Sequence, residues 1–137
     1  MHKIKIQTLR YDDENDIKFR ISFYNGALIS FLDFYGEDIV FKKFAAELID
    51  FPKYNTDVIL FEIGEDIPGW AYFLSLKIIC VHPNGGSIIR VLVDNHKSIE
   101  TGYRTEFSIN VEIAEINRFG QSLLNWIPEE GNEIVWK

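Results

Sequence analysis

One order of segments occurs twice along this chain, and it constrains the fold more than any other feature. In the first half, residues 4–8 and 17–23 alternate apolar and polar side chains, which is typical of strands with one buried face. A third strand is predicted at residues 28–35. Apolar residues then recur at helical spacing over residues 41–51, and Pro52 is expected to end this helix.

The second half repeats this order of elements. The pattern predicts three strands and then a helix, at residues 74–80, 89–93, 102–109 and 116–126. We expect Asn110 to be the N-cap of this helix. The dipeptide Asn84-Gly85 favours a tight hairpin turn, which would place Cys80 opposite Ile89.

The two halves align at nearly constant spacing. Their first two strands are 70 residues apart, and their third strands and helices are 75 apart, so that Phe44 aligns with Phe119. A slip of one residue would reverse which face of a strand is apolar. The agreement therefore favours two copies of one ββ-βα unit, at about residues 3–52 and 72–127.

The number of elements predicts the architecture. One more strand, at residues 58–63, links the two copies. We therefore expect an α+β fold, with one antiparallel sheet of about seven strands and both helices on its apolar face. A copy of about 50 residues is too small to bury a stable core alone, so residues 1–137 are expected to form a single domain.

Composition and charge exclude several classes of protein. The chain has 47% hydrophobic residues, 26% charged residues and a net charge of −7, which is typical of a globular protein and argues against nucleic-acid binding. No apolar stretch approaches the roughly 20 residues that span a bilayer, and the N-terminal segment has no apolar signal region. The single cysteine favours a reducing compartment. We expect a cytoplasmic protein that binds neither nucleic acid nor membrane.

The residues that could perform catalysis do not form a recognisable group. No nucleophile, phosphate-loop, dinucleotide or zinc motif occurs. Cys80 has nothing basic beside it and is expected to be a small buried hydrophobe. Glu112 and Glu115 lie off the apolar stripe of the second helix and are expected in solvent, whereas His82 and His96 are predicted at opposite ends of one hairpin. We therefore expect no catalytic residue, no metal site and no cofactor.

An acidic segment forms the predicted tip of the first hairpin. It contains Asp12, Asp13, Glu14 and Asp16, the densest acidic cluster in the chain. Its spacing lacks the glycine and the distal glutamate of an EF-hand loop, so we expect a solvated tip rather than a calcium site. Acidic groups of this kind can guide a basic partner, which makes the four residues candidates for partner binding.

The outer face of the third strand differs between the two copies. In the first copy it is apolar, with Ile29, Phe31 and Tyr35. The equivalent positions of the second copy are polar: Arg104, Glu106 and Asn110. An apolar outer face is expected to be covered, either by the tail at residues 134–136 or by another protein. Ile29, Phe31 and Tyr35 are therefore further candidates for partner binding.

Several short segments resemble a known group of proteins. They are Phe41-x-x-Phe44-Ala45-x-Glu47-Leu48-x-x-Phe51-Pro52, the stretch from Trp70 through the hairpin turn at residues 84–86, and Phe119-Gly120-x-x-Leu123. Together they resemble small bacterial proteins that include immunity proteins of the WapI type, which neutralise contact-delivered toxins. The resemblance covers most of the chain but lies in core positions and turns, so it implies no particular binding residue. The chain departs from the group at His82-Pro83-Asn84, where members often carry an aspartate before the turn glycine.

These observations favour a non-enzymatic protein-binding domain. The resemblance implies that it is an immunity protein, and its acidic charge implies a basic toxin domain as the partner. Two alternatives stay open. One is a small-molecule binding protein or enzyme with a pocket between sheet and helices, and the other is a homo-oligomer that associates through the outer face.

Overall fold

The computed structural model describes residues 3–13, 15–82, 84 and 86–137. In chain order the elements are β1 (Ile4–Asp13), β2 (Asp16–Tyr24), β3 (Ile29–Gly36), α1 (Lys42–Ile49), β4 (Val58–Gly64), β5 (Phe73–Cys80), β6 (Gly86–Asp94), β7 (Arg104–Glu112), α2 (Ile113–Asn125) and β8 (Glu133–Trp136). The predicted α+β class is confirmed. None of the described helices is long and apolar enough to cross a membrane.

The strands form two sheets, so the prediction of a single sheet of about seven strands is wrong. The first sheet has the order β3-β2-β1-β8 and the second has the order β4-β5-β6-β7, and every pair is antiparallel. The strand after each helix joins the sheet of the other half: β4 pairs with β5, and β8 pairs with β1. Each sheet is therefore completed by the other half of the chain.

The two sheets have corresponding registers. Ile21 of β2 lies opposite Ile6 of β1 and Leu32 of β3. Val91 of β6, which is 70 residues further along, lies opposite Leu76 of β5 and Phe107 of β7. All six of these side chains are buried.

One hairpin register differs from the prediction. Cys80 lies opposite Ser87 rather than opposite Ile89, and the main-chain N–H groups of both Val81 and His82 donate to the Gly86 carbonyl. The turn predicted at Asn84-Gly85 includes a residue outside the described ranges.

The core is one contiguous cluster of buried side chains from both sheets and both helices. Helix α1 contributes Phe44, Ala45 and Leu48, and the buried side of α2 includes Phe119 and Leu123. Removing one such leucine or phenylalanine side chain from water stabilises the fold by about 1.5–3 kcal/mol. The apolar stripe predicted for the first helix extends beyond α1, because its two outer members, at positions 41 and 51, are buried but lie outside the helical turns.

The start of α2 corrects two predictions. Strand β7 continues through Asn110, so the N-cap is Glu112, which forms a capping box with Glu115. Glu112 is exposed, as expected, whereas Glu115 is half-buried, and the capping box gives both side chains a structural role. Glu115 also lies 2.5 Å from the Lys3 ammonium. Partial burial alone would raise the pKa of Glu115, but its hydrogen bonds, first of all from Lys3, hold that pKa below its ordinary value.

The two helices are in direct contact at Gly120. A Cβ atom there would lie 2.7 Å from the Leu48 Cβ and 2.8 Å from the Ile49 nitrogen, closer than side chains normally approach. The side-chain amide of Asn117 lies nearby and donates to main-chain carbonyls at the end of α1, including that of Phe51 at 2.8 Å. Glycine at position 120 thus permits the close crossing of α1 and α2.

Candidate protein-binding surface

The outer face of β3 carries a row of apolar side chains. Alternation along the strand buries Ser30, Leu32 and Phe34 and leaves the residues between them outside. The outer row is substantially exposed, at 68%, 41% and 39% for Ile29, Phe31 and Tyr35. The sequence prediction placed these three side chains on this face, and the structure leaves them open to solvent.

Phe31 is held in place by charged and aromatic neighbours. The Arg20 guanidinium carbon lies 4.8 Å from the centre of the Phe31 ring, a cation–π contact. Arg20 also forms two hydrogen bonds to the Asp33 carboxylate, at 2.6 and 2.9 Å, and these raise the pKa of Arg20. The Tyr103 ring also lies near Phe31, with 5.9 Å between the ring centres.

Tyr35 connects this row to the acidic hairpin tip. Arg10 donates to the Tyr35 hydroxyl at 2.7 Å, and its Nε atom lies 3.5 Å from the Asp12 carboxylate. The Lys18 ammonium lies 6.0 Å from the centre of the Tyr35 ring. Arg10 and Lys18 lie on β1 and β2 of the first sheet, and the carboxylates of Asp12 and Asp33 lie beside Arg10 and Arg20, so the aromatic row is bordered by charges of both signs.

The acidic hairpin tip lies close to only one end of the row of Ile29, Phe31 and Tyr35. Asp12 and Asp13 are exposed and Asp16 is half-buried, whereas Glu14 lies outside the described residues. The tip adjoins the Tyr35 end of β3. Ile29 is six residues further along the strand, which corresponds to about 20 Å. The six predicted residues that the structure describes therefore do not form one compact cluster.

The C-terminal tail does not cover the outer face of β3. Its last residues form β8, which pairs with β1 and places Trp136 opposite Ile4. The Trp136 ring is buried and stacks on Phe119 at a centroid distance of 4.7 Å. Strand β8 therefore lies at the opposite edge of the first sheet from β3, so tail packing as the cover for Ile29 and Phe31 is ruled out for the described residues.

A second group of charged residues joins the loops of the second sheet. The potential ligand atoms of Asp66, Asp94 and His96 all lie within 4.8 Å of one another. The Arg104 guanidinium lies between the two carboxylates, at 2.9 Å from Asp66 and 3.0 Å from Asp94. Its hydrogen bonds hold the pKa of Asp66 below the ordinary value. These carboxylates already bind a cation of the chain, so the group acts as an ion-pair network.

Cys80 and His82 lie close together at the end of β5. The cysteine is half-buried rather than fully buried, and its sulfur lies 3.6 Å from the His82 carbonyl oxygen. That contact involves the main chain of the histidine, not its ring. A carbonyl oxygen cannot deprotonate a thiol, so this hydrogen bond gives Cys80 no general base.

The chain was compared with protein families, curated proteins and solved structures. No family model, curated protein or solved structure matches it significantly. The resemblance to WapI-type immunity proteins is therefore a proposal.

Proposed function

We propose that this chain is a protein-binding domain whose docking surface is the outer face of β3. The observation that carries this proposal is the exposed row of Ile29, Phe31 and Tyr35 on a strand that the tail leaves uncovered. Contiguous apolar side chains at a surface are typical of interaction sites.

The arrangement of the row supports the same function. Interfaces are enriched in aromatic residues and arginine, and both lie here side by side. Arg20 and Tyr103 both contact the Phe31 ring, and Arg10 donates a hydrogen bond to the Tyr35 hydroxyl. Side chains that are ordered before binding lose less conformational entropy on association, so these rings are suited to be anchors.

The partner that we propose is a basic protein domain. The first half of the chain, residues 1–69, carries 13 acidic and 8 basic residues, a net charge of −5, and includes the hairpin tip. The resemblance to immunity proteins would make this partner a toxin domain met in the cytoplasm, where the single cysteine would stay reduced.

A small-molecule pocket between sheets and helices has less support. Buried side chains from both sheets and both helices occupy that layer. The described clefts instead lie at the surface, such as the cleft beside β3 and the cleft next to Asp66. This alternative would need a ligand that opens the core.

Binding measurements with candidate partners test the proposal. The products of the genes that flank its own are purified, and their affinities for the protein are measured by calorimetry. Replacement of Ile29, Phe31 and Tyr35 by serine should weaken binding of one of these products at least about 100-fold, because interface anchors each contribute about 2 kcal/mol or more.

A matched control comes from the second sheet. Val58 and Leu60 are 47% and 52% exposed on the outer face of β4, and their replacement by serine should leave the affinity unchanged. The proposal is wrong if no flanking product binds, or if the β4 variant loses as much affinity as the β3 variant.

A second copy of the chain is the remaining candidate for covering this face. Light scattering distinguishes it from a separate partner, because a homo-oligomer would have a multiple of the 16.0 kDa mass of the chain. We expect a monomer. A dimer that the serine variant of β3 abolishes would replace the proposed partner by self-association.

We also propose that the two halves derive from one duplicated ββ-βα unit. The equal registers support this, as do two aromatic stacks 75 residues apart: Phe44 on Phe61, and Phe119 on Trp136, each at 4.7 Å. Exchange of the stacked partners, Phe61→Trp with Trp136→Phe, should preserve the circular dichroism spectrum. Loss of the fold in the exchanged chain would contradict equivalence of the two sites.

A further inference from the structure

The free edge of β3 exposes main-chain groups at alternate residues. In antiparallel sheets, a residue of a non-hydrogen-bonded pair points its N–H and C=O away from that neighbouring strand. The Tyr24 N–H of β2 donates to the Lys3 carbonyl at 3.0 Å, so even-numbered residues of β2 bond toward β1 and odd-numbered ones toward β3. In the register between β2 and β3, the odd-numbered residues of β2 pair with even-numbered residues of β3. The main-chain groups of Phe31, Asp33 and Tyr35 therefore point away from β2, toward the free edge of the sheet.

Tyrosine hydroxyls occupy this edge on both sides of Asp33. The Tyr103 hydroxyl donates to the Phe31 carbonyl, and the Tyr35 N–H donates to the Tyr72 hydroxyl oxygen at 3.0 Å. Burial raises the pKa of Tyr103, which favours the protonated hydroxyl that this donation requires. In the part of the chain that the structure describes, no group bonds the main-chain N–H or C=O of Asp33, which lies between these two contacts.

A cleft of about 290 Å³ faces this open position. Its walls include Asp33, Ala71, Tyr72, Lys97, Thr101 and Tyr103. Ser30 contacts Thr105 at the start of β7, with 2.6 Å between their hydroxyl oxygens. Further along β3 the neighbouring strand β7 has not yet begun, so the edge faces the cleft instead of another strand.

We propose that an extended polypeptide segment of the partner adds to the edge of β3 at Asp33. The segment would accept a hydrogen bond from the Asp33 N–H and donate one to the Asp33 carbonyl, as in strand addition. A helix cannot fill this role, because its internal N–H and C=O groups are already paired. This inference rests on the proposed function and specifies how the same strand would recognise the partner.

The surroundings of Asp33 indicate which side chain the segment presents there. A residue opposite Asp33 would point to the outer face, diagonal to Phe31 and Tyr35, which favours an apolar side chain. The Asp33 carboxylate is already bound by Arg20 and needs no further cation. Lys97, which has no ion pair within the described ranges, also borders the cleft and repels a basic residue at this position.

Nuclear magnetic resonance of the full chain tests the main-chain contact. The probe is an acetylated and amidated tripeptide, threonine-valine-threonine, short enough to lie between the two tyrosine contacts and added at millimolar concentration to the isotope-labelled protein. We expect the Asp33 amide resonance to shift and its hydrogen exchange to slow at least about tenfold. The matched peptide is N-methylated at the valine that would donate to the Asp33 carbonyl, and it should produce neither change. Replacement of that valine by lysine should weaken the response.

A variant that fills the cleft provides an independent test. Ala71 is exposed and borders the cleft, so Ala71→Trp should abolish the response to the peptide, whereas Ala46→Trp on the exposed side of α1 should not. Strand addition is overturned if the peptide does not bind, if N-methylation changes nothing, or if Ala71→Trp binds normally. If strand addition is overturned but the β3 serine variant still loses affinity for the partner, the proposed docking surface is retained and only the proposed mode of recognition is wrong.

Discussion

The side-chain amide of Asn117, on α2, lies 2.9 Å from the main-chain oxygen of Leu48 and 3.1 Å from that of Ile49, at the end of α1. The last carbonyls of a helix have no partner within it, so Asn117 caps α1 from the neighbouring helix. The reverse contact also exists, because the Lys42 ammonium of α1 donates to the Leu124 carbonyl at 2.6 Å. Each helix thus donates side-chain hydrogen bonds to main-chain carbonyls at the C-terminal end of the other helix.

Removal of the Asn117 amide should destabilise the fold. Asn117→Ala leaves the carbonyls of Ile49 and Phe51 without this donor, while the Leu48 carbonyl still accepts from the Phe51 N–H, so the free energy of unfolding should fall by about 1–3 kcal/mol in urea titration. Gln121 is exposed on the same helix, and Gln121→Ala should change stability by less than about 0.5 kcal/mol. Equal effects of the two substitutions would show that the cap contributes little.

The two aromatic stacks should contribute similarly to stability. Phe44 and Phe119 are each 5% exposed and stack on their neighbours at the same distance, 4.7 Å. Phe44→Ala and Phe119→Ala should each lower the free energy of unfolding by about 3–5 kcal/mol, because each leaves a cavity in the core. Ile99 is fully exposed, so Ile99→Ala should have almost no effect. Losses that differ by more than about 2 kcal/mol would argue against equivalent packing.

Alternation predicted most strands because it reflects burial of one face, which is a local property. It predicted the inward side chains of β2 and β6 and their 70-residue correspondence. It could not separate one sheet from two, since the pairing of β4 with β5 and of β8 with β1 depends on how distant segments pack. Strand β8 has only four residues, of which Ile134 and Trp136 point inward, and this is too short a pattern to distinguish from a tail.

The candidate surface was predictable only in part, for the same reason. Successive side chains of a strand point to opposite faces of the sheet, so the sequence alone places Ile29 and Phe31 on the outer face of β3. The contact of Tyr103 with Phe31 joins residues 72 apart in sequence, and no local pattern indicates it. The ion pair between Asp66 and Arg104 spans 38 residues and depends on loop geometry in the same way.

That ion pair predicts a specific dependence of stability on pH. Arg104 holds the pKa of Asp66 below its ordinary value in the folded protein. The resulting stabilisation is present above the unfolded-state pKa, about 3.9, and is lost as the pH falls through the lower folded-state pKa. Arg104→Gln should therefore be less stable than the natural protein at neutral pH, and this difference should shrink below about pH 3.9.

Urea titrations at a series of pH values measure this difference. Arg118 is exposed on α2 and forms no ion pair within the described part of the chain, so Arg118→Gln serves as the control for removal of one positive charge. Its difference from the natural protein should vary less with pH. A gap for Arg104→Gln that stays constant down to the lowest pH would contradict a stabilising role for the carboxylate.

The acidic hairpin tip should control how fast the proposed basic partner associates. Charges at the rim of an interface raise association rates by steering the encounter, and they affect dissociation little. Replacement of Asp12, Asp13 and Asp16 by asparagine and of Glu14 by glutamine should slow association about tenfold and leave dissociation nearly unchanged in stopped-flow measurements. Added salt should slow association of the natural protein in the same way.

The control for this prediction removes acidic charge away from the hairpin tip. Glu62 on β4 and Glu65 and Glu100 on loops that join strands of the second sheet are exposed, and their replacement by glutamine leaves the tip intact. This variant should associate faster than the tip variant, because the steering field is strongest near the densest charge cluster. Equal slowing by both variants would assign steering to the net charge of −7 alone. An association rate that responds neither to the tip nor to salt would contradict steering altogether, and an acidic partner would contradict it before any rate is measured.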